Sequence, residues 1–144
     1  MAQSDPGAPS GQSSQPGKRD LAQRLLTYAV AIIQLAEKLP RSFAGRHVGR
    51  QLLRSGTSAG ANYEEAQAAE SRDDFVHKLQ IALKELRESL FWLRLVEAAH
   101  LLRGDGLDTL IDESTQLRAM LSKGVARAKS RAKPAPDAQA GEES

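Results

Sequence analysis

The chain has 144 residues, 20 Lys plus Arg against 18 Asp plus Glu for a formal charge of +2, 40% hydrophobic residues and no cysteine. That length holds one domain with flanking tails, and a core of roughly 100 residues buries enough apolar surface to fold without staples. The cysteine count excludes disulfides, thiolate metal sites and a thiol nucleophile, and no segment approaches the ~20 apolar residues of a membrane span, so a soluble, cytoplasmic protein is expected.

Residues 1–19 are rich in Ser, Gly, Gln and Pro where a signal peptide would need an apolar run. They offer too little burial to offset the entropy of ordering, and a disordered tail is expected. A first helix is predicted from Asp20 to about Leu39, with Leu21, Leu25, Tyr28, Ala29, Ile32 and Ala36 on one face before Pro40 forbids continuation. A second begins near Ser42. Its inward stripe of Val48, Leu52, Ser55, Gly56, Ala59, Tyr63 and Ala66 is dominated by small residues. Gly56 and Gly60 each cost up to ~1 kcal/mol of helix propensity, which points to a close approach by a neighbouring helix.

Ser71 with Asp74 three residues on resembles a capping box, so a third helix is predicted to start there. Its inward face is Phe75, Leu79, Ala82, Leu83, Leu86, Leu90 and Leu93. A second apolar strip of Phe91, Trp92, Leu95, Ala99 and Leu102 falls on the opposite side, where a lone bundle would expose it, and this strip is the expected subunit interface. Gly104-Asp105-Gly106 is a turn, after which Leu107, Leu110, Ile111, Ser114, Leu117, Leu121 and Val125 mark a fourth helix. Pro134, Pro136 and mixed charges then signal a disordered end. The expectation is an all-α, antiparallel up-down-up-down four-helix bundle over 20–125, between tails at 1–19 and 126–144.

The two central helices carry a resemblance. LLRSGTSAGANYEEAQ followed by DFVHKLQIALKELRESLFWL resembles the signature of a bacterial four-helix-bundle family first described as proteins encoded in intervening sequences of 23S ribosomal RNA genes. In layout the likeness spans about residues 20 to 122. It implies an antiparallel bundle that assembles as a homopentamer. It also implies kinship with the accessory protein of diversity-generating retroelements, a pentameric barrel thought to bind nucleic acid and a reverse transcriptase. Most members have no assigned activity.

The charges are unevenly placed. From Asp20 to Ser122 there are 13 Lys plus Arg against 14 Asp plus Glu, whereas Lys123, Arg127, Lys129, Arg131 and Lys133 follow one another with no acid among them. Such an arm suits salt-sensitive contacts to phosphate, or simply solubility. Arg46, Arg50 and Arg54 recur at i, i+4, i+8 and form a ridge near the start of the second helix, with Glu64, Glu65 and Glu70 later, the reverse of what the helix dipole favours. Across an antiparallel hairpin Arg54 falls level with Glu85 and Glu88, and Glu65 with Lys78, so ion pairs are one reading of these charges. Nucleic-acid phosphate is the other.

No reaction centre is legible. Glu97-Ala-Ala-His100 is half of a ferritin-like metal site, but Asp74-Phe-Val-His77, the nearest match to the missing half, lies on the same helix. Ser55, Ser58 and Asn62 have no assignable base, and polar bonding of Asn62 to the adjoining helix is expected. Gly-rich phosphate loops do not occur. A non-enzymatic homo-oligomer without metal or cofactor is therefore expected. It would bind nucleic acid, RNA before DNA, through Arg46, Arg50, Arg54 and the basic arm. The alternative is a protein-interaction adaptor with no nucleic-acid contact.

Overall fold

The computed structural model describes residues 16–104 and 106–132. It contains four helices: α1 (Pro16–Lys38), α2 (Phe43–Gln67), α3 (Arg72–Ala98) and α4 (Leu107–Ala132). Each packs on its neighbours in sequence, α1 also meets α4, and the α1/α3 and α2/α4 pairs lie across the diagonals. This is an up-down-up-down four-helix bundle. The α2–α3 hairpin is its most extensive interface and the α1–α4 seam its thinnest.

Local chemistry starts and stops the helices where the backbone needs partners. Ser42 caps α2 by accepting from the Gly45 amide at 3.1 Å, and Ser71 caps α3 by accepting from the Asp74 amide at 3.1 Å. These caps satisfy amides that have no partner within the helix. Helix α3 ends in a Schellman turn: the Leu101 amide donates to the Val96 carbonyl at 3.1 Å and the His100 amide to the Glu97 carbonyl at 3.2 Å. His100 adopts φ 53° to close it, a left-handed position usually given to Gly. Gly104 and Gly106 supply the other positive φ values, 70° and 80°, at the turn into α4.

The core is aliphatic. Leu25 and Ile32 of α1, Leu52 and Ala59 of α2, Leu86 and Leu93 of α3, and Leu117 and Leu121 of α4 are all fully buried. Every residue of the predicted α2 stripe is buried, together with Gly45 and Gly49. The close approach expected of its glycines is to α1. A Cβ on Gly56 would stand 2.8 Å from both Cγ atoms of Ile32, and one on Gly60 3.4 Å from Leu25 Cβ.

Three features depart from expectation. Helix α1 begins at Pro16, four residues before Asp20, because Pro is well suited to a first helical turn whose amides are unpaired anyway. Helix α4 continues to Ala132 instead of ending with the bundle at 125, since ARAKSRA contains no breaker and Lys129 and Arg131 in its last turn suit the helix dipole. The strip expected to be bare on α3 is largely covered. Trp92, Leu95 and Leu102 are half-buried and packed against the core, leaving Phe91 and Ala99 exposed. Leu102 lies beyond the end of α3, because the chain turns at His100. Lys133 and the segments 1–15 and 133–144 lie outside the described residues.

Candidate functional site

The charged side chains fall into two sets. One is engaged across helix interfaces. Arg24 grips Glu113 with both arms of its guanidinium at 2.9 Å, bridging the thin α1–α4 seam, and donates to Gln116 at 3.2 Å. Arg54 pairs with Glu85 at 3.0 Å and also with Glu88, and Lys78 with Glu65 at 2.8 Å. The two α2–α3 pairings are those expected from the hairpin register. Hydrogen bonding to Glu88 is the largest of the effects that raise the Arg54 pKa, so this guanidinium is committed to α3.

The other set is free. Arg46, Arg50, Lys123, Arg127, Lys129 and Arg131 are exposed and make no ion pair among the described residues. Because α4 is helical to Ala132, its basic end is an ordered surface whose side chains have set directions. Lys123, Arg127 and Arg131 are spaced i, i+4, i+8 and form a ridge, while Lys129 points away from that ridge, toward α3.

The two basic groups do not meet within one chain. His47, beside Arg46, packs on Trp92, whereas a Cβ on Gly124, little more than a turn before Lys129, would stand 3.7 Å from Leu79. Thirteen residues of α3 separate those levels, about 20 Å along the axis at 1.5 Å per residue. Lys84 and Arg87, not among the residues expected to bind, line the same groove as Lys129 from the α3 side. Their signal was the Lys-x-x-Arg spacing on a helix whose intervening Glu85 faces the other way.

The aromatic end of α3 sits against the start of α2. Trp92 meets His47 edge to face at 5.9 Å and Phe91 at 5.2 Å, and its Nε1 is buried without an acceptor among the described residues. Phe91 is 56% exposed and Phe43, at the first position of α2, 95% exposed. A further apolar stripe, unforeseen from the sequence, runs along the outside of α1. Leu26, Val30 and Ile33 at i, i+4, i+7 are between 45% and 59% exposed.

The polar groups weighed for chemistry are occupied with structure. Ser55 Oγ donates to the Gln51 carbonyl at 2.7 Å and Ser58 Oγ to the Arg54 carbonyl at 2.6 Å. Asn62 bonds the Ser58 carbonyl at 2.9 Å, so it turns back on its own helix rather than reaching the adjoining one as expected. The reason is that an i−4 carbonyl is always within reach of a short polar side chain in a helix. His100 stands past the end of α3, so Glu97 and His100 do not share a helix face. Among the described residues no three His, Asp or Glu side chains gather to hold a metal. Nor is any helix among them long and apolar enough to cross a membrane.

Comparison with known proteins extends this geometry. Residues 18–123 match the model of a family described as 23S rRNA-intervening sequence protein. Among solved structures, the chain is similar to a protein of unknown function from the S23 ribosomal protein family of Bacteroides thetaiotaomicron. The two share 34% identity and a TM-score of 0.70, over 76% of this chain and 97% of that one. No curated protein matches. The family match stops at Lys123, so Arg127, Lys129 and Arg131 lie beyond it.

Proposed function

The chain belongs to the 23S rRNA-intervening sequence protein family, and from that premise we propose that it is a non-enzymatic, self-assembling bundle that binds nucleic acid, with RNA the preferred partner. The observation that carries this is the division of its cations. Arg24, Arg54 and Lys78 are paired across helices, whereas Arg46, Arg50, Arg127, Lys129 and Arg131 are exposed and make no ion pair among the described residues. Unopposed Arg and Lys on rigid helices bind phosphate by releasing counterions.

The exposed apolar surface supports self-assembly. The α1 stripe and the Phe91 end of α3 are different faces of the bundle, and a ring needs two unlike faces that fit each other. A homopentamer is the closed form proposed, and it would place basic groups from neighbouring subunits around one assembly. The exposed Phe43 and the α1 stripe also favour a second reading, an adaptor that uses these faces for another protein.

Fluorescence anisotropy with labelled RNA, at low and at physiological salt, tests the first reading. Affinity should fall steeply as salt rises. Arg46→Gln with Arg50→Gln and, separately, Arg127→Gln with Arg131→Gln should each weaken binding. Each pair should also flatten the salt dependence by about 0.7 for every phosphate of a single strand left without its cation. No RNA or DNA binding at low salt would leave the adaptor reading.

A further inference from the structure

We infer that the groove between α3 and α4 is a binding site for the backbone of a single nucleic-acid strand. The inference rests on the nucleic-acid reading above and gives it a place and a strand form. The groove has a volume of about 570 Å³, within the range of sites that hold small organic groups. Lys84 and Arg87 stand on its α3 wall and Lys129 on its α4 wall, and among the described residues no acidic side chain lines it. All three cations are exposed and make no ion pair among the described residues.

The missing negative charge has a structural cause. Glu85 and Glu88 alternate with Lys84 and Arg87 along α3 and would oppose them, Glu88 at the i+4 spacing from Lys84. Both carboxylates are instead paired with Arg54 of α2. The α2–α3 ion-pair cluster therefore engages the two acids nearest in sequence to these cations, and neither lines the groove.

Shape and lining select a single strand over a duplex. Packed helices lie about 8–10 Å apart, so the groove between them is too narrow for a double helix, which could touch only its rim. A single strand can enter and be flanked by charge on both walls. Beneath the cations the floor is Leu83 and Val125, which suits the face of a ribose or base. Gln80 and Ser122 add an amide and a hydroxyl that both donate and accept. An acidic peptide would use the cations but has less to gain from such a floor.

The test is anisotropy on the full-length protein with a labelled single-stranded RNA of about twelve nucleotides, the same sequence as a duplex, and a poly-glutamate peptide of similar charge. Lys84→Gln with Arg87→Gln should weaken the single strand about tenfold at ~0.1 M salt and reduce the log–log salt slope by about 0.7 for each phosphate left without its cation. Ala126→Trp fills the groove while leaving every charge in place, and should weaken the single strand but not the duplex. Circular dichroism checks each variant. If the tryptophan variant does not fold, the glutamine pair on exposed positions decides alone. Unchanged single-strand affinity in Lys84→Gln/Arg87→Gln, with weaker binding in Arg46→Gln/Arg50→Gln, would overturn the groove and leave nucleic-acid binding intact. Tighter binding of the duplex or the peptide than of the single strand would also overturn it. Binding of neither RNA at low salt would remove the broader reading.

Discussion

At Tyr28 a single hydroxyl ties three helices together. It lies 2.7 Å from Ser89 Oγ of α3 and donates to Ser114 Oγ of α4 at 3.1 Å, and all three residues are buried. Burial pushes the phenol's pKa up, against the opposing effect of the two serine hydrogen bonds. The folded state thus holds this proton more tightly than the unfolded chain, whose Tyr pKa is about 10. The stability so linked is complete below about pH 10 and is lost as pH rises through the higher folded value. We expect the urea midpoint to fall from about pH 9 to about pH 11, and to fall less in Tyr28→Phe. At neutral pH that variant should lose about 1–2 kcal/mol, because two buried serines lose a partner. Two of these residues were legible as core positions from helical spacing. Ser89 was not, because a lone Ser between Glu88 and Leu90 gives no sign of which way it faces.

Among the elements, α2 shows how small residues set a helix distance. Gly56 and Gly60 both face α1, but only Gly56 is pressed against a branched side chain, Ile32, which is itself fully buried. Gly56→Ala should cost about 1–3 kcal/mol as Ile32 or α1 is forced to shift. Gly60→Ala, whose methyl would meet Leu25 at ordinary van der Waals distance, should instead stabilise by about 0.5–1 kcal/mol through helix propensity. Paired thermal or urea unfolding of the two variants checks the contrast. Equal effects would mean that the helices are not held at this spacing. The sequence placed both glycines on the packed side of α2, yet their unequal crowding depends on which α1 side chain meets each one. At the far end of the chain, the basic arm expected to be flexible or partly helical is helical as far as Ala132, which gives its charges set directions.

For the molecule as a whole, α1 carries the clearest sign of assembly. Leu26, Val30 and Ile33 form an outward stripe that the fold does not need, so Val30→Glu with Ile33→Glu should preserve helicity yet shift the particle to monomer in light scattering. If the parent forms the proposed oligomer and this variant keeps its size, the interface moves to the Phe91 end of α3. Assembly and binding are linked in this picture. Arg46 and Lys129 stand at different levels of one bundle, and only neighbouring copies could bring such groups together, so the monomeric variant should also bind RNA more weakly.

Helical period, two serine caps and the Gly104–Gly106 turn determined four helices, their order and most of their buried faces, because those properties depend on residues within a few positions of each other. Hairpin register even placed Arg54 opposite Glu85 and Glu88. What only the tertiary structure decided are the relations between distant segments. Those are the packing of His47 on Trp92, the exposed outer side of α1, and the α3–α4 groove that Lys84, Arg87 and Lys129 line together. Each depends on how two helix surfaces rotate against one another, and a 100° step per residue along one helix does not specify that rotation for its neighbour.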